Sequence, residues 1–289
     1  CQRYLNKRNL SDETIKFFKL GFSSSSKQTL YQFLKEQDFE DKELLESNVV
    51  KLDKNNKIRD FFYNRLIFPI TNEYGKIVGF GGRVLDNSNP KYINSPESDF
   101  FKKRNILYNL YNAKQTIRSK KNMLICEGYM DVISLYDKKI KTAVAPLGTS
   151  LTESHLELSW KYVSKPTLMF DGDTSGLKAS FKSAVMSLPY LTPSKLLQFI
   201  ILPNQYDPDT YINEFSLNEF AKYLKNPLSI VDFIFEESSK SIDLSKSDNK
   251  VIFDSYIEEL VSSIKDTKIK YFYRNEFKKL LKNLFMNHY

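Results

Sequence analysis

The sequence predicts an α/β protein in three parts: an α+β amino-terminal subdomain over 1–119, a parallel sheet flanked by helices over 120–216, and a carboxyl-terminal helical bundle over 217–289. Three observations predict it. In the middle part, short apolar runs repeatedly end in an acid or a glycine and lead into helix-like runs, as buried parallel strands do. Ahead of them, two strand-like runs flank a polar turn. After Leu217 the strand pattern stops and apolar residues fall at helical spacing.

The elements follow in order. Ser11-Asp-Glu-Thr-Ile-Lys-Phe-Phe starts with an N-capping serine and carries two acids where the helix dipole favours negative charge. It reads as a short helix stopped near Gly21, followed by a loop over 23–26. Residues 29–37 and 41–47 read as two more short helices, apolar at Leu30, Phe33 and Leu34 and at Leu44 and Leu45. Residues 61–70 and 76–85 read as a hairpin joined by Thr71-Asn-Glu-Tyr-Gly75. Gly79, Gly81 and Gly82 inside its second strand mark a twisted corner, or a close backbone approach by a sugar-phosphate chain beside Arg83. Pro90-Lys-Tyr-Ile-Asn-Ser-Pro96 reads as an extended loop, because each proline turns its predecessor away from helix. Phe100-Phe-Lys-Lys-Arg104 interleaves aromatics with cations. That suits single-stranded nucleic acid, with bases stacking and phosphates pairing, and equally a solvated basic turn over a buried ring pair. Residues 107–119 close the region as a helix.

In the middle part, the apolar run over 123–126 ends at Glu127-Gly128 before a helix-like run over 131–136. The run over 167–170 ends at Asp171-Gly-Asp-Thr-Ser-Gly176 before another over 177–188. The run over 196–202 is followed by Asp207-Pro-Asp209, and a shorter one over 143–147 by Gly148-Thr149-Ser150. If these strands are parallel, Glu127, Asp171, Asp173, Asp207 and Asp209 gather along the edge where open α/β sheets bind ligands. Carboxylates so gathered repel one another, and a site that keeps them holds divalent cations. An all-oxygen set suits magnesium or manganese rather than zinc. Two such ions about 4 Å apart support phosphoryl transfer. A calcium loop is the rival reading of the Asp-Gly-Asp run. Such a loop needs a glutamate where Lys182 stands, and a preceding helix. Asp131, one turn past Glu127, reads as an assisting acid or as a helix-dipole acid. Cys126, His155 and Trp160 read as structural. In the last part, residues 229–239, 251–265 and 269–288 are helix-like, with a Ser-, Asp- and Lys-rich loop over 238–249.

Composition narrows the class. At 289 residues, 41% apolar and 27% charged, the chain is globular rather than disordered. A net charge of +8 and a pI near 9.1 favour polyanionic partners. Two cysteines exclude a disulfide framework. No apolar run is long enough to span a membrane, and no Gly-x-x-x-x-Gly-Lys-Ser/Thr loop is present. A cytosolic protein, or a fragment of one, is expected.

Glu127-Gly-Tyr-Met-Asp131, Leu147-Gly-Thr-Ser-Leu-Thr152, Asp171-Gly-Asp-x-x-Gly176 and Asp207-Pro-Asp209, in that order, resemble the Toprim domain. The Tyr-Met-Asp version resembles bacterial DnaG-type primases. So do Tyr4-Leu-x-x-Arg-x-Leu-Ser, Arg65-Leu-Ile-Phe-Pro-Ile, Gly79-Phe-Gly-Gly-Arg-Val-Leu, Pro90-Lys-Tyr-Ile-Asn-Ser-Pro-Glu and Phe101-x-Lys-x-x-x-Leu-Tyr108, and the closing helices, so the resemblance covers nearly the whole chain. It implies synthesis of short RNA primers on single-stranded DNA, with a primer 3′-hydroxyl attacking a ribonucleoside triphosphate and pyrophosphate leaving. Glu127, Asp171 and Asp173 would be the catalytic and metal-binding acids, with Glu127 either a ligand or the proton acceptor. Asp207 and Asp209 would be outer or second-metal ligands. Arg65, Arg83, Lys91 and Lys103 would carry the conserved basic roles, with Lys102 or Arg104 as substitutes for Lys103, and Asp131 would assist. Implied cofactors are two or more Mg2+ or Mn2+ ions, with no zinc in this chain. Implied partners are the template, the triphosphates, the RNA primer and a replicative helicase reached through a domain absent here. The family's zinc-binding reader is also absent. A monomer at the bacterial replisome, or in an organelle, is expected. Asn9 and Asn204-Gln205 depart from the family pattern, which has glycine at position 9 and Asp-Gly at the pair. Two other readings remain: a Toprim enzyme that cleaves DNA, for which eighteen tyrosines offer candidate nucleophiles, and a non-catalytic nucleic-acid-binding module.

Overall fold

The computed structural model describes residues 1–24, 29–148 and 150–286. The amino-terminal part opens with α1 (Gln2–Lys7) and α2 (Asp12–Phe17). Ser11 caps α2 by accepting the Thr14 N–H. The chain does not stay helical to Gly21, because Gly21 begins β1 (Gly21–Ser23) and pairs with Ile67. Ser23, expected in a loop, is therefore in a strand. Ser25 and Ser26 of that expected loop lie outside the described residues. Next come α3 (Leu30–Lys35) and α4 (Asp41–Glu46). A small hairpin, β2 (Val50–Leu52) and β3 (Ile58–Asp60), was not legible, since three-residue strands are too short to carry a periodic signal. β4 (Arg65–Thr71) and β5 (Ile77–Val84) form the expected hairpin. The stretch read as an extended loop contains β6 (Tyr92–Asn94), which pairs with Gly81, Gly82 and Arg83. The four-stranded sheet runs β1-β4-β5-β6, all antiparallel.

The glycines of β5 face rings. A Cβ at Gly79 would stand 3.2 Å from the Phe101 ring, at Gly81 2.7 Å from Tyr129, and at Gly82 2.5 Å from Phe62. Close approach is real, but side chains fill the space that the sequence reading offered to a sugar-phosphate chain.

After α5 (Leu110–Lys120) the central sheet begins. Its elements are β7 (Leu124–Ile125), α6 (Tyr129–Asp137), β8 (Ala143–Val144), α7 (Glu153–Trp160), β9 (Thr167–Leu168), α8 (Thr174–Ser187), β10 (Gln198–Phe199), α9 (Pro208–Glu214) and α10 (Leu217–Lys225). One more strand, β11 (Leu228–Ser229), precedes α11 (Ile230–Ser239), α12 (Ser247–Ser262) and α13 (Thr267–Met286). The order is β11-β10-β9-β7-β8. β7, β8, β9 and β10 are parallel, and β11 is antiparallel to β10. Strands therefore do not stop at Leu217. A two-residue edge strand is too short to carry a periodic signal. His288, expected at the end of the last helix, lies outside the described residues.

This sheet separates two cores, and alternation along its strands shows it. Leu124, Ala143, Met169 and Ile200 join the core shared with α1, α2, α6, α9 and β4. Their neighbours Ile125, Val144, Leu168 and Phe199 join the core shared with α5, α7, α8 and the final helices. Phe68 of β4 stacks on Tyr129 at 4.9 Å, and Phe233 of α11 stacks on Phe199 at 4.2 Å. Asp137, at the end of α6, accepts from the Ser11 N–H, Ser11 Oγ and Thr14 Oγ1, locking the first helices to the sheet.

Candidate active site

Each acid is set by a strand ending against a helix start. Glu127 follows β7, and Gly128 caps α6, its N–H held at 2.9 Å by Asp131 Oδ2. Asp171 follows β9, and its N–H donates to Glu127 Oε1 at 3.1 Å. Asp173 caps α8, accepting the Gly176 N–H at 2.8 Å. The two glycines of this motif are steric necessities. A Cβ on Gly172 would stand 2.3 Å from the Pro203 carbonyl oxygen. One on Gly176 would stand 2.2 Å from the Asp171 carbonyl oxygen and 2.8 Å from Glu127 Oε1. Asp207 caps α9, accepting the Thr210 N–H and Oγ1–H, both at 2.6 Å.

A cavity of about 260 Å³ opens between the two sheets. The acids Glu127, Asp131, Asp171, Asp207 and Asp209 line it, together with Arg8, Arg83, Lys91, Tyr92 and Asn94. Asp173 is outside the lining but near enough for its charge to raise both Glu127 and Asp171. Burial, then the charges of Glu127, Asp207 and Asp173, push the Asp171 carboxyl up to about 7. Burial raises Glu127 as well, and raises Asp131 strongly, aided by Asp207, Asp171 and Asp209.

The acids differ in how far they are committed. Asp171 Oδ1 is buried without a hydrogen-bond partner among the described residues. Asp209 is 1% exposed and fully engaged: Arg8 donates to one oxygen, and Ser134 Oγ and Asn213 Nδ2 to the other. Asp131 is buried behind the Gly128 N–H.

The expected cations divide. Arg83 and Lys91 line the cavity with the acids. The Arg83 guanidinium lies 4.3 Å from the Tyr4 ring centre, and its Nε and Nη1 have no partner among the described residues. Arg65 is buried elsewhere, its Nη1 donating to the carbonyls of Gly82, Pro90 and Lys91, so it braces the loop that carries Lys91. Lys103 lies outside the cavity lining, on a turn whose carbonyl faces His155 Nε2 at 2.9 Å. Three of these cavity residues, Arg8, Tyr92 and Asn94, had no role in the sequence reading. Arg8 was visible only as part of the Tyr4-Leu-x-x-Arg pattern. Asn94, which accepts from Tyr129 O–H at 2.6 Å and donates to the Leu147 carbonyl, had no signal beyond its own motif.

Among the described residues, no three His, Cys, Asp or Glu side chains stand close enough to hold an ion by themselves. Magnesium does not require that: it keeps several waters and takes one or two carboxylates together with substrate phosphates. A buried, unpartnered carboxylate oxygen among like charges fits such a shared ion.

Both departures from the resemblance fall where backbone is left-handed, with φ of 54° at Asn9 and 75° at Gln205. Asparagine tolerates that region better than other side chains, whereas glutamine there is strained by about 1 kcal/mol.

An acidic edge of a parallel sheet, sharing a cavity with cations, defines a Toprim-class site for phosphate chemistry. Residues 124–212 match the Toprim-like family, a class that uses divalent cations, magnesium in general. Residues 1–114 match the DNA primase catalytic core, N-terminal domain. The solved Escherichia coli primase catalytic core is 33% identical, with a TM-score of 0.85 over 97% of this chain and 90% of that one. A DnaG primase catalytic domain bound to single-stranded DNA is also 33% identical, with a TM-score of 0.84 over 96% of this chain and 90% of that one. The chain belongs to the DnaG primase catalytic-core family. It is 38% identical to the DNA primase of Buchnera aphidicola over 95% of its own length and 48% of that protein. The chain thus spans about half the length of the curated relatives it matches. Among the described residues, no helix is long and apolar enough to cross a membrane.

Proposed function

We propose that this chain is the polymerising core of a primase, joining ribonucleotides on a single-stranded DNA template. The observation that carries the reading is the Asp171 carboxyl, raised to about 7 and with one oxygen unpartnered among the described residues, in a cavity that Arg83 and Lys91 also line. The acids suit cations, and the two basic side chains suit phosphates. Relatives of this chain have been solved with single-stranded or double-stranded DNA bound, which supports a template as partner.

Glu127, Asp171, Asp173 and Asp207 would hold two or more magnesium or manganese ions, with no zinc among this chain's ligands. The ions would supply activation of the attacking 3′-hydroxyl and charge neutralisation on the triphosphate. Arg83 and Lys91 orient the phosphates, and Arg83 offers two donors without a partner among the described residues. We assign Asp209 to holding Arg8 in place and Asp131 to setting the start of α6. Glu127 and Asp171 bind a proton more tightly than ordinary carboxylates, which suits an acceptor for the hydroxyl proton. On this reading the chain works as a monomer in the bacterial cytoplasm, on a template, an RNA primer and ribonucleoside triphosphates.

The test is RNA synthesis on single-stranded DNA with ribonucleotides and magnesium or manganese, beside Asp171→Asn. Metal-dependent oligoribonucleotides, absent with the variant, are expected. Metal-dependent nicking or relaxation of supercoiled DNA with no RNA product would move the assignment to a cleaving Toprim enzyme.

A further inference from the structure

The Phe100-Phe-Lys-Lys-Arg104 run is split by the fold in a way the polymerase site does not use. Phe101 is 1% exposed and packs over Gly79. Phe100 is 84% exposed, and no other ring packs on it among the described residues. The two stand at a closed turn. The Ser98 N–H donates to the Phe101 carbonyl at 3.0 Å, and the Phe101 N–H donates back to the Ser98 carbonyl at 3.3 Å, leaving Asp99 and Phe100 at the tip.

The residues that follow are held from behind. His155 Nε2 meets the Lys103 carbonyl at 2.9 Å, Thr152 Oγ1 donates to the Arg104 carbonyl at 3.0 Å, and the Lys103 N–H donates to Glu97 at 3.0 Å. The backbone is thus fixed while the side chains face out. Lys102 and Arg104 are exposed, Lys103 is half-buried, and none of the three forms an ion pair among the described residues. Asp99 and Glu97 are the acids of the same turn. Phe100 follows Asn94 of the cavity wall by six positions, which places its Cα within about 20 Å of that residue.

We propose that Phe100 is a stacking platform for one unpaired base of a nucleic-acid strand, with Lys102 and Arg104 taking the neighbouring phosphates. An exposed ring on a rigid turn, flanked by unpaired cations, matches what a single strand offers: a flat apolar base on a charged backbone. A duplex has no free base face and fits it poorly. The inference rests on the nucleic-acid polymerase reading and names a grip for the strand outside the acidic cavity.

The test is fluorescence anisotropy with the full chain. The probes are a labelled oligo-dT of about 12 nucleotides, within the usual site range, and a strand of equal length with abasic sites in place of bases. Phe100→Ser should raise the Kd for oligo-dT about tenfold, the loss of one stacked base, and leave the abasic strand within about twofold. Phe100→Trp should bind oligo-dT as tightly as the parent, with emission quenched by oligo-dT and not by the abasic strand. Oligo-rU run alongside separates the strands: a larger loss on dT marks the template, and a larger loss on rU marks the product. Unchanged binding of oligo-dT by Phe100→Ser, or equal losses on both probes, overturns the platform. If that happens while the parent chain makes RNA, the polymerase reading stands alone. The selective loss in a chain that makes no RNA would keep the platform without it.

Discussion

Asp171→Asn should stabilise the metal-free protein while abolishing its activity. On folding, the Asp171 carboxyl moves from an ordinary value of 3.8 to about 7, through burial first and then the charges of Glu127, Asp207 and Asp173. At about 1.4 kcal/mol per unit, that is a penalty of about 4 kcal/mol once both folded and unfolded states are ionised, above pH 7. Part of the side chain remains open to solvent, and screening brings the figure to roughly 2 kcal/mol. The sign follows from proton counting. Between about pH 4 and pH 7 the folded state holds a proton that the unfolded state has lost, so this group's contribution to stability falls as pH rises through that window. At pH 5 roughly a third of the penalty is present. Asparagine keeps the shape and removes the charge. Thermal unfolding in chelator, followed by circular dichroism, should therefore give Asp171→Asn a Tm about 4–8 °C above the parent at pH 8, and a much smaller gap at pH 5. Magnesium should raise the parent more than the variant and narrow the gap. RNA synthesis by the variant should fall by about a hundredfold or more. A variant no more stable than the parent at pH 8, or a gap equal at both pH values, would refute the repulsion on which the site assignment rests.

Four further outcomes are expected. Gly176→Ala drives a methyl into the Asp171 carbonyl, so it should cost about 2 kcal/mol or more in urea unfolding and abolish synthesis. Arg8→Ala leaves the buried Asp209 without its counter-ion and should cost about 2–4 kcal/mol by the same measurement, with Arg8→Lys recovering part of it. Lys91→Gln should reduce the slope of log affinity against log salt for a single strand by about 0.7, one phosphate contact, with little change in sequence preference. His155→Gln keeps the capping box with Thr152, since glutamine serves at that position, but loses the reach to the Lys103 carbonyl. Burial holds the His155 pKa below its usual value, so the parent loses stability as pH falls below about 6.5. The glutamine variant should lose less in a pH series of melting curves.

Much of the site was legible because it is built locally. An apolar run, an acid, a glycine and a capping residue lie within a few positions of one another, and strand–turn–helix geometry does the rest. Glu127, Asp171, Asp173 and Asp207 stand at element junctions for that reason. The same logic failed for short, charged or edge strands. β2, β3, β6 and β11 are two or three residues long, and their pairing depends on what lies beside them rather than on any period of their own.

By itself, the sequence determined the alternating α/β order, the acidic edge of the sheet, the hairpin ahead of it and the glycines that let the acids approach. Only the tertiary structure decided which charges meet. Arg8 and Asp209 lie 201 positions apart and form one ion pair with a buried acid, a contact no local pattern carries. Arg65 and Arg83 look alike in sequence, yet one braces a loop through carbonyls and the other lines the cavity with two donors unpartnered among the described residues. Asp207 and Asp209 flank one proline and both line the cavity, yet the first is a half-buried helix cap and the second is buried and held by three partners. The physical reason is that a side chain's role is set by burial and by the charges around it. Those depend on how separate elements pack, which residue order alone does not record.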